Sequence, residues 1–306
     1  MLRTVLLAAA RNQRVERLVA SAPGSRGVVA RFVAGTATAD AHRVTAGLVD
    51  QGLAVSLDHL GEDTTEVAQA VTARDAYVQL LSGLAAAGLT PAAEVSLKLS
   101  AVGQRLDERM ALDHARAVCQ AAANAGTTVT LDMEDHTTTD STLDVLAELR
   151  KDFPDTGVAV QAYLRRTEAD CKDLAVAGSR VRLCKGAYAE PESVAYQAPI
   201  DVDRSYVRCL NTLLAGEGYP MFATHDPRLI AIAEERSKWY ERSPQTFEFQ
   251  LLYGIRPDEQ RRLAAEGYTV RVYVPYGDQW YGYLMRRLAE RPANVAFFLR
   301  ALSGTK

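Results

Sequence analysis

Near the C-terminal end, Tyr283-Leu-Met-Arg286-Arg287-Leu-Ala-Glu290 places a phenol, two guanidiniums and a carboxylate at helical positions i, i+3, i+4 and i+7. On an α-helix these four share one face. Each guanidinium is planar, permanently charged and able to donate two parallel hydrogen bonds, so two side by side form a fork for a small carboxylate. The spacing points to an anionic substrate. It is equally the pattern of a solvated surface on which Arg286 pairs with Glu290 one turn on. What lies beneath the helix decides between the two.

Other candidates cluster at the ends of short apolar runs. In chain order they are Asp58, His59 and Glu62; Lys98 and Ser100; Asp132, Glu134, Asp135 and His136; Gln161, Tyr163 and Arg165; Arg182, Lys185 and Tyr188; Thr224, His225 and Asp226; Gln250 and Tyr253; Tyr273 and Tyr276. Burying Lys98, Arg182 or Gln250 unpaired would cost several kcal/mol each, so some of these residues are expected to meet a polar ligand. The histidines fall one to a run with no His-x-His pair, and no metal is expected. Lys98 or Lys185 has the chemistry of a Schiff-base lysine, which needs a desolvated amine, and Arg182 three residues before Lys185 would help. For either lysine the structural alternative is an ion pair with Asp132 or Glu134. No Gly-x-Gly-x-x-Gly opens a helix after a strand, so a Rossmann dinucleotide site is not supported. A flavin can be held without that motif, by a cation or donor near N5 and N1 and amide partners for its pyrimidine edge, and Arg182, Lys185 and Gln161 are of the right types.

The elements that must position these groups alternate. Eight runs are rich in β-branched residues and too short for helices: Ala54–Asp58, Glu94–Leu99, Thr128–Met133, Gly157–Tyr163, Arg180–Cys184, Pro220–Thr224, Phe247–Leu251 and Val270–Val274. Helical stripes separate them, such as Leu143, Val145, Leu146 and Leu149, or Leu229, Ile230, Ile232 and Ala233. A doubly wound open sheet alternates in the same way, but the count of eight favours closure into a (β/α)8 TIM barrel. No Gly-, Pro- or Ser-rich linker divides the series. The expected organisation is an α/β chain with N-terminal helices before strand one, a helical lead-in over 1–50, and a catalytic barrel over 51–306 that ends in the substrate-binding helix.

Bulk composition narrows the function. The 306 residues are 48% hydrophobic and 24% charged, with a net charge of −3, which fits a globular body and leaves no electrostatic footprint for nucleic acid. Cys119, Cys171, Cys184 and Cys209 are scattered without C-x-x-C spacing and read as reduced thiols of a cytoplasmic protein. The opening Met1 to Ala10 stretch is short for a signal peptide and is followed by Arg11, Arg14 and Arg17, so an amphipathic helix is expected there. No segment reaches the roughly 20 apolar residues of a transmembrane helix.

Seven segments in the same order, at the expected strand ends, resemble the proline dehydrogenase family over about residues 30–302: Ser96-Leu-Lys98-Leu-Ser100, Leu131-Asp132-Met133-Glu134, Val160-Gln161-Ala-Tyr163, Arg182-Leu-Cys-Lys185-Gly186-Ala187-Tyr188, Ala223-Thr224-His225-Asp226, Glu248-Phe-Gln250-Leu-Leu252 and the Tyr283–Glu290 run. The resemblance is to the short monofunctional bacterial form, without the aldehyde dehydrogenase half or the DNA-binding arm of fused members. It implies FAD-dependent oxidation of L-proline to Δ1-pyrroline-5-carboxylate, the first step of proline catabolism. Electrons would pass to a quinone through peripheral membrane association at the cytoplasmic face of the inner membrane, and a separate pyrroline-5-carboxylate dehydrogenase would be the pathway partner.

By that resemblance, Arg286, Arg287 and Lys98 would grip the proline carboxylate, and Tyr188, Leu252, Tyr273 and Tyr283 would wall its ring. Arg182 would lie by flavin N5 and Gln161 by the pyrimidine edge. Asp132, Met133, Lys185, Gly186, Ala187, Thr224, His225, Gln250, Arg287 and Glu290 would line the rest of the FAD. Asp132 would support the site through Lys98, and Glu62 would latch a lid by pairing with Arg286. Ala189 departs from the family, replacing an aromatic, and the stretch from Tyr273 to Arg286 is shorter than in some fused members. Two rival readings are a Schiff-base lyase using Lys185 or Lys98 and a non-catalytic barrel serving as a binding scaffold.

Overall fold

In every strand the side chains alternate between two faces, and here the two faces differ in kind. Val55 and Leu57, Val95 and Leu97, Val129 and Leu131, Val158 and Val160, Val181 and Leu183, Phe249 and Leu251, and Val270, Val272 and Val274 are all buried and apolar. The residues between them, such as Ser56, Asp58, Glu94, Ser96, Thr130, Arg182, Glu248 and Gln250, are buried and polar. A period of two with both faces buried fits a parallel sheet covered on both sides, here with the apolar face turned to a helical layer and the polar face to the lumen of a closed barrel.

The computed structural model describes residues 25–61 and 64–290; the side chains of 25, 26, 28, 286 and 288–290 also lie outside the described residues. The helix expected over the first residues, Glu62, and the side chains of Arg286 and Glu290 therefore cannot be placed. The strands are β1 (Ala54–His59), β2 (Ala93–Leu97), β3 (Val129–Leu131), β4 (Gly157–Gln161), β5 (Arg180–Cys184), β6 (Tyr219–Ala223), β7 (Glu248–Leu252) and β8 (Thr269–Tyr276). All neighbours pair in parallel and the order closes as β1 through β8, so the barrel expected from the count of eight is present.

The strands lie within a few residues of the apolar runs, and the shifts have local causes. β2 stops at Leu97, short of the expected Leu99, because the chain turns into a 3-10 segment at Ser100–Val102 whose first amide, Ser100 N, donates to Glu134 at 3.0 Å. β8 runs past Val274 to Tyr276 because β1 pairs with it residue by residue from Ala54↔Arg271 to His59↔Tyr276.

The helices are α1 (Ser25–Phe32), α2 (Thr38–Val49), α3 (Val67–Ala86), α4 (Glu108–Asn124), α5 (Thr139–Arg150), α6 (Thr167–Leu174), α7 (Pro199–Ala215), α8 (Pro227–Trp239), α9 (Pro257–Ala265) and α10 (Trp280–Glu290). Two of the starts are capped by aspartates. Asp107 accepts from Met110 N ahead of α4, and Asp226 accepts from Arg228 N ahead of α8, where Pro227 gives up no needed amide hydrogen. α3 buries Ala70, Tyr77, Leu80, Leu81 and Leu84 on one stripe. Phe222, Phe247, Phe249 and Tyr268 pack with ring centroids 5.3–6.4 Å apart. Each such large apolar side chain, fully buried, contributes about 1.5–3 kcal/mol before entropy is counted.

The segment after α1 reaches the C-terminal end of β8. Ala34 N donates to Pro275 O at 2.9 Å and Gly277 N to Gly35 O at 3.0 Å. These bonds tie down the turn that leads from β8 into α10. Among the described residues no helix is long and apolar enough to cross a membrane.

Candidate active site

The lumen is a ladder of paired charges. At its floor Arg271 Nε and Nη2 donate to the two oxygens of Glu248 at 2.8 and 3.1 Å, and Arg180 Nη2 donates to Glu94 at 2.6 Å. Higher up Arg182 meets Asp132 at 2.5 Å, and at the top Lys98 meets Asp58 at 2.7 Å. Four cations thus face four carboxylates, each with one short contact and with longer ones that link the pairs, Lys98 to Asp132 at 3.5 Å and Arg271 to Glu94 at 3.7 Å. Lys98, Arg182 and Gln250 each also have partners within the protein, so their burial is tolerable before any ligand arrives, because each charge is paired and hydrogen-bonded.

Arg182 is the hub of the upper half. Its side chain is 3% exposed, and it donates to Asp132 Oδ1, to Ser96 Oγ at 2.7 Å, to Gln250 Oε1 at 2.5 Å and to Ser56 Oγ at 3.3 Å. Gln250 in turn donates to Glu248 at 2.5 Å, so its amide orientation is set from the floor and Arg182 is steered from below. The Arg182 guanidinium lies 5.4 Å from the centre of the Tyr273 ring. Tyr273 donates its hydroxyl to Asp132 Oδ2 at 2.6 Å. Burial, then Asp132 and Asp58, push the Tyr273 phenol well above its ordinary value, so it stays a donor. Burial alone would raise the carboxyl of Asp132, but Lys98 and Arg182 beside it hold it below the usual range, and it is ionised at neutral pH.

Gln161 ends β4 on the strand next to Arg182, with Gln161 paired to Cys184 and Ala159 to Arg182. Its Nε2 donates to Glu134 O at 2.5 Å, while its buried Oε1 has no hydrogen-bond partner among the described residues. A buried amide acceptor left without a donor is costly, and a ligand N–H would relieve it.

The second group of expected residues gathers at the ends of β5 and β6. Lys185 Nζ lies 2.6 Å from Asp203 on α7 and 3.1 Å from Asp226, and Arg228 meets the same two carboxylates at 2.8 and 2.7 Å. This corrects the ion pair expected for Lys185 with Asp132 or Glu134; Glu134 instead accepts from Ser100. Asp203 is on a helix, remote from any strand end, and carries no sequence signal for the role. Both candidate Schiff-base lysines therefore sit against two carboxylates, Lys98 also lying 3.5 Å from Asp132, in surroundings opposite to those that give a neutral nucleophilic amine. Thr224 Oγ1 accepts from Asp226 N, and His225 Nε2 accepts from Leu252 N at 2.9 Å, which leaves Nδ1 as the protonated nitrogen.

The loop after β5 is braced from two sides. Glu190 accepts from His136 N at 2.9 Å, from the His136 ring and from Tyr163 OH at 3.3 Å. Gly186 has φ +108°, and a Cβ there would be driven into the Tyr163 ring. Gly186→Ala is accordingly expected to destabilise the fold by about 1–3 kcal/mol through strain and overpacking, read as a lower urea midpoint with unchanged slope. An unchanged midpoint would show that this loop is not held against Tyr163.

α10 covers this end. Tyr281, Tyr283, Leu284 and Met285 are buried, so the first turns of the helix lie against the barrel; on the arginine-bearing face Tyr283 is buried and Arg287 half-buried. Arg287 lies 5.2 Å from the centre of the Tyr283 ring and is close enough to act electrostatically on Cys184, whose thiol is pushed up to about 11 by burial, the nearby guanidiniums opposing. Lys98, Asp132, Arg182 and Tyr273 thus meet in one network, Leu252 pairs with Tyr273 across β7 and β8, and Lys185, Gly186, Thr224 and His225 line the adjoining strand ends. Glu62 and the side chains of Arg286 and Glu290 lie outside the described residues. Sequence reading passed over Glu94, Arg180, Glu248 and Arg271. The signal was present in the period-two polar pattern of Glu94-Val-Ser96-Leu-Lys98 and Arg180-Val-Arg182-Leu-Cys184.

A family model described as proline dehydrogenase matches residues 41–300. The chain is 37% identical over 302 residues to "Proline dehydrogenase 1" of Bacillus subtilis (strain 168), covering 99% of each protein. It is 39% identical over 305 residues to "Proline dehydrogenase" of Deinococcus radiodurans, covering 98% of this chain and 97% of that one. Among solved structures, proline utilization A (PutA) from Bdellovibrio bacteriovorus, inactivated by N-propargylglycine, aligns with a TM-score of 0.81 at 25% identity. That match covers 92% of this chain and 34% of the other, so the present chain spans about a third of that larger protein.

Proposed function

The chain belongs to the proline dehydrogenase family and is an enzyme that oxidises proline, and from that membership we propose a flavin-dependent conversion of L-proline to Δ1-pyrroline-5-carboxylate with FAD held at the C-terminal end of the barrel. The observation that carries the flavin is the buried, unpartnered Oε1 of Gln161, one strand from Arg182. An acceptor in that place suits the N–H of a pyrimidine edge, with a fixed guanidinium beside it for the redox-active centre. Gln161, Arg182, Lys185, Gly186, Thr224 and His225 would hold the group, and Gln250 would act through Arg182. Asp132, Met133, Ala187, Arg287 and Glu290 would complete its surroundings. When bound, the flavin would supply a hydride acceptor for C5 of proline.

The protein's own part is placement and charge. Arg286, Arg287 and Lys98 receive the substrate carboxylate, while Tyr188, Leu252, Tyr273 and Tyr283 enclose the ring. Asp132 holds Arg182 and the Tyr273 hydroxyl at fixed orientations, so the polar wall needs little reorganisation when the substrate arrives. Glu62 would close the site by pairing with Arg286. Electrons would leave to a membrane quinone through peripheral association at the cytoplasmic face, and the product would pass to a separate pyrroline-5-carboxylate dehydrogenase.

A visible absorption spectrum of the purified protein tests this reading. The expected protein is yellow and bleaches when proline is added without oxygen. A colourless protein that nonetheless oxidises proline would sink the flavin assignment.

A further inference from the structure

Lys98 is one of three cations proposed to meet the substrate carboxylate, and what holds it there is Asp58. Asp58 closes β1 with 1% of its side chain exposed, and its Oδ2 lies 2.7 Å from Lys98 Nζ. The other neighbours of the ammonium are more distant: Tyr273 OH at 3.4 Å and Asp132 Oδ2 at 3.5 Å. Asp132 is already committed, accepting from Arg182 at 2.5 Å, from Ser96 Oγ at 3.1 Å and from Tyr273 at 2.6 Å. Asp58 thus serves the ammonium at close range, while Asp132, which also attracts it from 3.5 Å, is bonded to the guanidinium.

The walls around Asp58 keep that division. Tyr77, fully buried on α3, donates to Ser96 O at 2.8 Å and lies 3.5 Å from Asp58 Oδ1, closing the helix side with a neutral group. His59, edge-on to Tyr77 and Tyr276, is pushed toward its neutral form chiefly by burial, so it brings no rival cation. Among the described residues, the groups that face Lys98 include Asp58 and the neutral ring of His59 from β1, Asp132 beyond β3, Arg182 from β5, Tyr273 from β8 and the phenol of Tyr77 from α3.

We propose that Asp58 is a positioning residue for proline binding, which holds the Lys98 ammonium charged and aimed at the substrate carboxylate and keeps it from collapsing onto Asp132. The proposal rests on the reading of Lys98 as a substrate contact. Without Asp58, Asp132 is the carboxylate left beside the ammonium among the described residues, and it draws Lys98 toward itself and away from the ligand. In a buried place the loss of a counter-charge also favours the neutral amine.

The test is steady-state kinetics of the flavin-loaded enzyme from about pH 7 to 10, where a lysine can titrate. Asp58→Asn is expected to raise the KM for proline at least about tenfold, with a much smaller change in kcat. In that variant KM should climb further as the pH rises, whereas the wild-type KM stays flat. Asp58→Glu keeps the charge one methylene further out, so it should show a raised KM with a flat profile. In a Lys98→Met background, Asp58→Asn should add little, because a residue that acts only through Lys98 loses its effect when Lys98 is gone. A wild-type KM in Asp58→Asn, a sloping profile in Asp58→Glu, or full additivity with Lys98→Met would overturn the proposal. If Lys98→Met alone leaves KM unchanged, the substrate contact itself is wrong and the role of Asp58 falls with it, while the yellow colour and its bleaching still stand or fail on their own.

Discussion

Arg182→Met should all but abolish proline oxidation while leaving a protein that still folds, with turnover falling by about 100-fold or more. Losing a single preorganised charge donor at a reacting centre typically costs about 2.7–4 kcal/mol of barrier. Arg182 is more than one donor, since its guanidinium bonds Asp132, Ser96, Gln250 and Ser56 at once. Its removal leaves Asp132 with Lys98 as its remaining cation and strands three polar groups in the lumen. The variant should accordingly be about 3–5 kcal/mol less stable, the usual cost of breaking a buried pair from one side. Single-turnover reduction by proline and urea denaturation measure the two effects separately. A lysine at the same position keeps the charge but lacks the planar fork, and it should recover part of the stability and little of the rate. A methionine variant that turns over at the wild-type rate would remove Arg182 from the reacting centre.

The second large effect lies far from the chemistry. Arg271→Met should destabilise the fold by about 3–5 kcal/mol at neutral pH, because Glu248 is wholly buried and Arg271 supplies it with two hydrogen bonds and a charge. The pH dependence of that loss has a definite sign. Burial alone would raise the Glu248 carboxyl, but Arg271, with Arg180 and Gln250, holds it below its ordinary value in the folded protein. A depressed folded value gives stability that is present above the unfolded value, about 4.3, and is lost as the pH falls through the folded one. With the guanidinium gone, burial dominates and the folded value rises above the unfolded one. The deficit of the variant should therefore be greatest near pH 7 and shrink as the pH falls toward 4. Urea midpoints across that range measure it, and a deficit independent of pH would mean that packing, not charge, is what Arg271 supplies.

These two arginines also show where sequence reading stopped. Arg182 stood at the end of a β-rich run beside Lys185-Gly-Ala-Tyr188, and a resemblance to a family could be anchored there. Arg271 stood in the middle of its run, where an isolated charge looks like an interruption. Only the alternation Glu94, Ser96, Lys98, set against Arg180, Arg182 and Glu248, Gln250, marks a polar lumen, and that pattern acquires meaning once the sheet is known to close. The same holds for Lys185. Its partner Asp203 lies 18 residues on, in a helix, and nothing in the chain links the two before the helix packs over β5.

The sequence by itself determined the eight strands, their order and the polarity of their ends, because strand period, β-branched runs and capping residues are local properties of a few neighbouring side chains. It also placed Arg286 and Arg287 on one helical face with Tyr283 and Glu290. What only the tertiary structure decided is which charge answers which. Lys98 rests on Asp58 and, more distantly, on Asp132, Arg182 on Asp132, Arg271 on Glu248, and Tyr283 on α10 is buried. Those pairings depend on side chains tens to hundreds of residues apart being brought within about 3 Å in a low-dielectric lumen, where the strength of a charge interaction is set by distance and burial and not by position along the chain.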